Sequence, residues 1–325
     1  MNTPEGSAPT AMELLDQANG LPFGEEERDL LHRALSSAQE TGDRDAEYRV
    51  RLSLVASYRA AEDNPALLTH FSAAAGLHDS DPQRFPGSSD GSYPHLFWYY
   101  KHAINVVTMS CLFSRAQADA LLDQMATHYA RAGVPENAVD IERREDQLVN
   151  GTLAEAEATQ DRILAAGGED PFDDCPTCRI AGQLALDLRA GRTEEAQARV
   201  QEILQAGDIG CVMEPESSLA AVMMTALRHG DADFAGFAQR TSIAANPRFQ
   251  SLRNVGRHLE FLGVTGNYSR GLALLQRYQR DLLVDRLDTL GHFGVLSGAW
   301  VLLAATARAG TIRSGSSHIC GSYLP

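Results

Sequence analysis

Residues 151–167 return forty positions later as residues 191–207. The two stretches are identical at Gly151/Gly191, Glu155/Glu195, Ala156/Ala196, Ala158/Ala198, Ile163/Ile203, Leu164/Leu204, Ala166/Ala206 and Gly167/Gly207. A self-match at a period between about 20 and 50 residues is the mark of a stacked repeat, in which one supersecondary unit cannot bury its own apolar face and recruits the next. A chain of 325 residues built this way escapes the size ceiling of a single core, because each repeat needs only its neighbours.

Two kinds of punctuation set the frame. Gly191, Gly230 and Gly266 each close an apolar helical run and precede another, with Arg192, Asp231 and Asn267 opening the second run; Gly151 and Gly310 read as the same joint. Glycine just past a helix supplies the left-handed conformation that ends it, and a polar residue after it starts an antiparallel partner. Pro94, Pro135, Pro176, Pro215 and Pro247 mark the opposite end, at the start of apolar-periodic segments. Proline suits the first helical turn, where no intrahelical donor is required.

Between these joints the period is helical. Ala196, Val200, Ile203 and Leu204 share one face, with Glu194, Glu195 and Glu202 off it, and no alternating run argues for a strand. The expected pairs are 44–61 with 64–77, 93–112 with 114–132, 136–150 with 152–166, 175–190 with 192–206, 215–229 with 231–245, and 249–265 with 267–281. A helix near 25–41 precedes them and a long one over 286–309 follows, about 14 in all. Residues 1–23 are expected to be flexible, with a short helical turn available over residues 12–18. Residues 78–92 form the longest loop and are expected to be mobile.

The run Gly191-Arg192-Thr193-Glu194-Glu195-Ala196, echoed more loosely by residues 266–272, resembles the joint and second-helix opening of the tetratricopeptide-repeat family. The resemblance covers most of residues 44–310, with repeats nearer 40 than 34 residues. It implies an all-α, right-handed superhelical stack of antiparallel helical hairpins over residues 24–310. It also implies a protein-protein interaction scaffold that binds a peptide or protein segment.

Composition narrows the partners. A formal net charge of −15 argues against a nucleic-acid backbone or an anionic membrane. The N-terminal residues lack the basic and apolar regions of a signal peptide. The longest apolar stretch, residues 293–309, is interrupted by Gly294, Ser297 and Gly298. A cytoplasmic location is expected, where the five cysteines would be thiols or metal ligands before disulfides.

The repeat frame places one constellation with chemistry. Cys175 and Cys178 open one helix, and Cys211 stands just before the equivalent helix of the next repeat, so all three fall on one rim. A CxxC pair is a frequent half-site for zinc, whose structural sites are tetrahedral. Asp173, Asp174 or Glu214 would supply a fourth ligand. A labile dithiol is the redox alternative, and small buried cysteines the plain one. Cys111, in the apolar run 106–113, is expected in the core.

The other dense patch is His95-Leu96-Phe97-Trp98-Tyr99-Tyr100-Lys101-His102, where Trp98, Tyr99 and Tyr100 are candidate partner anchors. Neither an HExxH metal motif nor a GxxxxGK phosphate loop is present, and no enzyme activity is expected. After Gly310 the frame calls for another helix, but residues 311–325 are rich in Ser and Gly and read as an irregular tail or a truncated final repeat. The long helix before them would keep an apolar side uncovered, a surface suited to a partner or a homodimer.

Overall fold

The computed structural model describes residues 8–166, 171–206, 211, 213–245 and 251–310. Among these the chain is all-α, with fifteen α-helices, a 3-10 turn at Asp281–Leu283 and no strand. Residues 1–146 with 161–173 make one compact unit, and residues 147–160 with 174–325 make the other. The repeat domain expected over 24–310 falls across both. Pro247 and the tail at 311–325 lie outside the described residues.

The first unit begins with a correction. Part of the segment expected to be flexible is helix α1 (Ala11–Asn19), fixed by a reciprocal cap between Thr10 and Glu13. Its Leu14, Leu15 and Ala18 are buried with Leu31 and Ala34 of α2 (Glu25–Thr41) and with Val50 and Leu54 of α3 (Arg44–Ala60). α3 pairs with α4 (Asn64–Ser80), and α5 (Leu96–Met109) with α6 (Arg115–Ala132). Tyr48, Phe71, Phe97, Tyr100, Met125 and Tyr129 form the centre of this core.

The long loop before α5 is tied down instead of mobile. Phe85 is buried, Tyr48 donates to the Pro86 carbonyl at 2.7 Å, and the Phe97 N–H donates to the Gly87 carbonyl at 3.0 Å. One buried ring and two long-range hydrogen bonds satisfy backbone that would otherwise seek water. Helix α7 (Asn137–Asn150) and α8 (Leu153–Ala166) follow. Gly151 between them is not among the glycines of positive φ; Thr152 and Glu155 close that joint with a capping box.

In the second unit the repeat frame is plain. Helices α9 (Pro176–Ala190), α11 (Glu216–Arg228), α13 (Leu252–Val264) and α15 (Thr289–Arg308) are first helices. α10 (Thr193–Ala206), α12 (Ala232–Ala245) and α14 (Tyr268–Arg277) are their partners. Each first helix packs on its partner where one follows, and α9 packs on α11, α11 on α13, and α13 on α15. Gly191 (φ 73°) and Gly266 (φ 74°) end their helices in the left-handed region. The next N–H then reaches back five residues, Arg192 to the Asp187 carbonyl and Asn267 to the Leu262 carbonyl, at 2.8 and 2.9 Å.

Among the described residues α13 and α15 make the most extensive helix contact, and glycine permits it. A Cβ on Gly256 would strike the Gly294 carbonyl, one on Gly298 would strike the Gly256 carbonyl, and one on Gly263 would lie 2.8 Å from the Leu302 Cα. α15 is also the one helix among the described residues long and apolar enough to cross a membrane, and a third of it is buried here.

Gly298→Ala is therefore expected to lower stability by roughly 1–3 kcal/mol, because the obstruction is backbone and cannot rotate away. Gly76→Ala is the control: it lies exposed within α4 with nothing within 4 Å of the added carbon, and should gain up to about 1 kcal/mol. Urea unfolding of both variants checks the pair.

Candidate functional site

The repeat frame delivers the cysteines as expected. Cys175 is the N-cap of α9, with its Sγ accepting the Cys178 N–H at 3.5 Å, and Cys178 lies in the first turn of the same helix. Cys211 arrives from the loop before α11 and brings its Sγ to 3.4 Å from that of Cys178. All three Sγ atoms lie within 4.8 Å of one another, each partly buried. Zinc–sulfur bonds of about 2.3 Å at tetrahedral angles put ligand sulfurs about 3.8 Å apart, so this spacing suits three ligands of one soft ion.

Burial pushes the Cys178 thiol up, reinforced by hydrogen bonding to Cys211 and Cys175 and by the negative charge of Asp174. The thiol form is therefore favoured until a cation arrives, and binding would release protons. Among the described residues no fourth His, Cys, Asp or Glu joins the group. Asp174 is near enough to act on Cys178 electrostatically. Glu214 instead accepts the Ser218 N–H at 3.1 Å. Cys111 departs from its expected place: α5 stops at Met109, so Cys111 falls in the following turn and is exposed.

The aromatic patch divides by depth. Tyr100 is fully buried, with its hydroxyl 2.6 Å from His128 Nδ1, and His128 Nε2 is 2.6 Å from Asp79. Tyr99 is buried as well, and Trp98 keeps partial exposure beneath Lys101, whose Nζ lies 4.5 Å from the ring centroid. Lys101 is itself buried and donates to the Phe172 carbonyl at 3.2 Å. Consecutive positions on a helix point around its circumference, so three neighbouring aromatics cannot form one exposed anchor.

The exposed aromatics are elsewhere. On α15, Phe293, Leu296, Trp300 and Leu303 recur at helical spacing on the side away from the glycine seam, with Phe293 66% and Trp300 74% exposed. The sequence pointed to an uncovered apolar side on this helix, though not to these residues.

One motif escaped the sequence reading. Gly87-Ser88-Ser89-Asp90-Gly91 has the GxSxG spacing of a nucleophile elbow. It lies in the loop before α5 with no strand leading into it, and the Ser89 hydroxyl donates to the Tyr93 carbonyl at 2.5 Å. Its nearest base, His95 Nδ1, already accepts the Ser89 N–H at 2.9 Å. That arrangement caps a turn and does not activate a hydroxyl.

No protein-family model matches the chain, and no curated protein matches it in sequence.

Burial lifts the Glu214 carboxyl from 4.5 to about 7. The folded chain then holds this proton more tightly than the unfolded one, and the contribution to stability falls as pH rises from about 4.5 through 7. Glu214→Gln, which mimics the protonated form, should be nearly neutral at pH 5 and stabilising by about 1–3 kcal/mol at pH 8. Unfolding curves at the two pH values measure the difference.

Proposed function

We propose that the chain is a protein-interaction scaffold of the tetratricopeptide-repeat type, its hairpins wound into a right-handed superhelix that acts in the cytoplasm. The ladder α9–α11–α13–α15 supports this reading, since first helices that pack on one another in order are how a repeat stack builds a continuous surface. The observation that carries it is the outer face of α15. Four large apolar side chains at helical spacing stand exposed on the last described helix of that ladder, a face suited to a partner helix. The partner is a protein or peptide segment that lays an apolar helical face across Phe293 and Trp300.

The test uses the full chain as bait in an extract of its own cells, with Phe293→Ser/Trp300→Ser as the matched control. A specific protein retained by the native chain and lost from the double variant, with circular dichroism unchanged, is expected. Retention of the same proteins by both baits contradicts the reading. A doubling of mass in light scattering that the double variant abolishes would make the occupant a second copy of the chain.

The cysteine cluster supports a second reading, a zinc staple or thiol sensor that couples metal or redox state to the curvature of the stack. Its support is the approach of three sulfurs from two loops to within 4.8 Å. The expected result is one zinc per chain by elemental analysis, lost when Cys175, Cys178 and Cys211 become serine. No zinc in the native protein, and unaltered melting of the triple variant, would remove it.

A further inference from the structure

The chain contains twenty-eight basic residues against forty-three acidic ones, yet three arginines converge on one groove of the second unit. Arg189 reaches it from the last turn of α9, and Arg253 and Arg257 line it from α13. The groove has a volume of about 530 Å³, within the range of small-molecule sites. Glu260 is the one carboxylate on its wall, and it is already engaged by Arg228 at 3.0 Å. Three arginines thus line a groove that has one carboxylate on its wall.

The rest of the lining is of a different kind. Leu290 and Phe293 of α15 supply an apolar wall, and Ser297 adds a hydroxyl. Gly256 and Gly298, whose lack of side chains lets α13 and α15 approach, line it together with Gly294. Burial, with the neighbouring positive charge of Arg253, brings Arg257 down to about 10 against the opposing pull of Glu216 and Glu260, and a further anion would favour its charged form. Arg257 is steadied by its Nη1 donating to Asn254 at 2.9 Å. A guanidinium held in this way is suited to bidentate contact with a carboxylate or phosphate.

We infer that this groove is a binding site for a small organic anion, with a carboxylate or phosphate head on Arg189, Arg253 and Arg257 and an apolar body against Leu290 and Phe293. The groove shares Phe293 but not Trp300 with the outer face of α15, so a protein laid across both would compete with the anion's body, and Trp300→Ser, which spares the groove, separates the two proposals.

Calorimetric titration of the full chain with paired probes tests it. Octanoate and octyl phosphate share the body and differ in the head, so their comparison identifies the oxyanion preferred. Acetate and inorganic phosphate lack the body, and octanol lacks the charge. One site per chain for octanoate or octyl phosphate is expected, with the truncated and neutral probes at least roughly tenfold weaker.

Arg257→Gln should weaken the preferred anion by roughly tenfold or more, and so should Arg189→Gln, which sits exposed and keeps the measurement valid if the first variant unfolds. Octanol binding as tightly as octanoate, native affinity in the folded arginine variants, or no binding by either octyl anion would overturn the assignment. Saturation by an acetylated tetraglutamate peptide in preference to both octyl anions would overturn the small-molecule class.

Discussion

A helical hairpin cannot bury its own apolar side, and the second unit is organised by that deficit. α9 is covered by α11, α11 by α13 and α13 by α15, so each hairpin's stability is lent by the next. The closest of these contacts is made by absence. Gly256, Gly263 and Gly298 bring two backbones together where an added side chain would collide. Dispersion between backbones at that distance, together with the burial of Val255, Leu259, Val295 and Leu302, holds the last first helix in place. The opposite side of the same helix is left with Phe293 and Trp300 in water.

Both functional readings follow from this arrangement. A stack presents equivalent loops on one rim and equivalent helices on one wall. The rim gathers Cys175, Cys178 and Cys211, because the loop before α11 returns to the start of α9. Among the described residues the wall runs as far as α15, whose outer stripe is apolar and exposed. The arginine groove belongs to the same geometry: glycines that permit the close crossing also leave room for Arg253 and Arg257 beside it.

Much of this was legible in the sequence. Gly191, Gly230 and Gly266 announced their joints because a left-handed residue after an apolar helix has few other uses, and the helix order followed from them. The cysteine cluster was legible because it depends only on the repeat period. What escaped depends on long-range partners. The loop expected over residues 78–92 looked polar and mobile, but its anchors, Tyr48 and Phe97, lie outside it. Tyr99 and Tyr100 looked like anchors for a ligand because composition does not say which way a helix faces. Cys111 looked like core because an apolar run gives no sign of the turn that ends α5. The arginine groove had no local signal, since its residues come from helices more than sixty positions apart.

The central claim is that, among the described residues, the first helices of the second unit pack on one another in order and α15 keeps an exposed apolar face. Hydrogen exchange read by mass spectrometry on the native chain and on Gly298→Ala tests it most directly. The account predicts that the substitution speeds exchange most in α13 and α15, less in α11, and least in α9. Equal acceleration in all four helices would show a single cooperative core and contradict the stack.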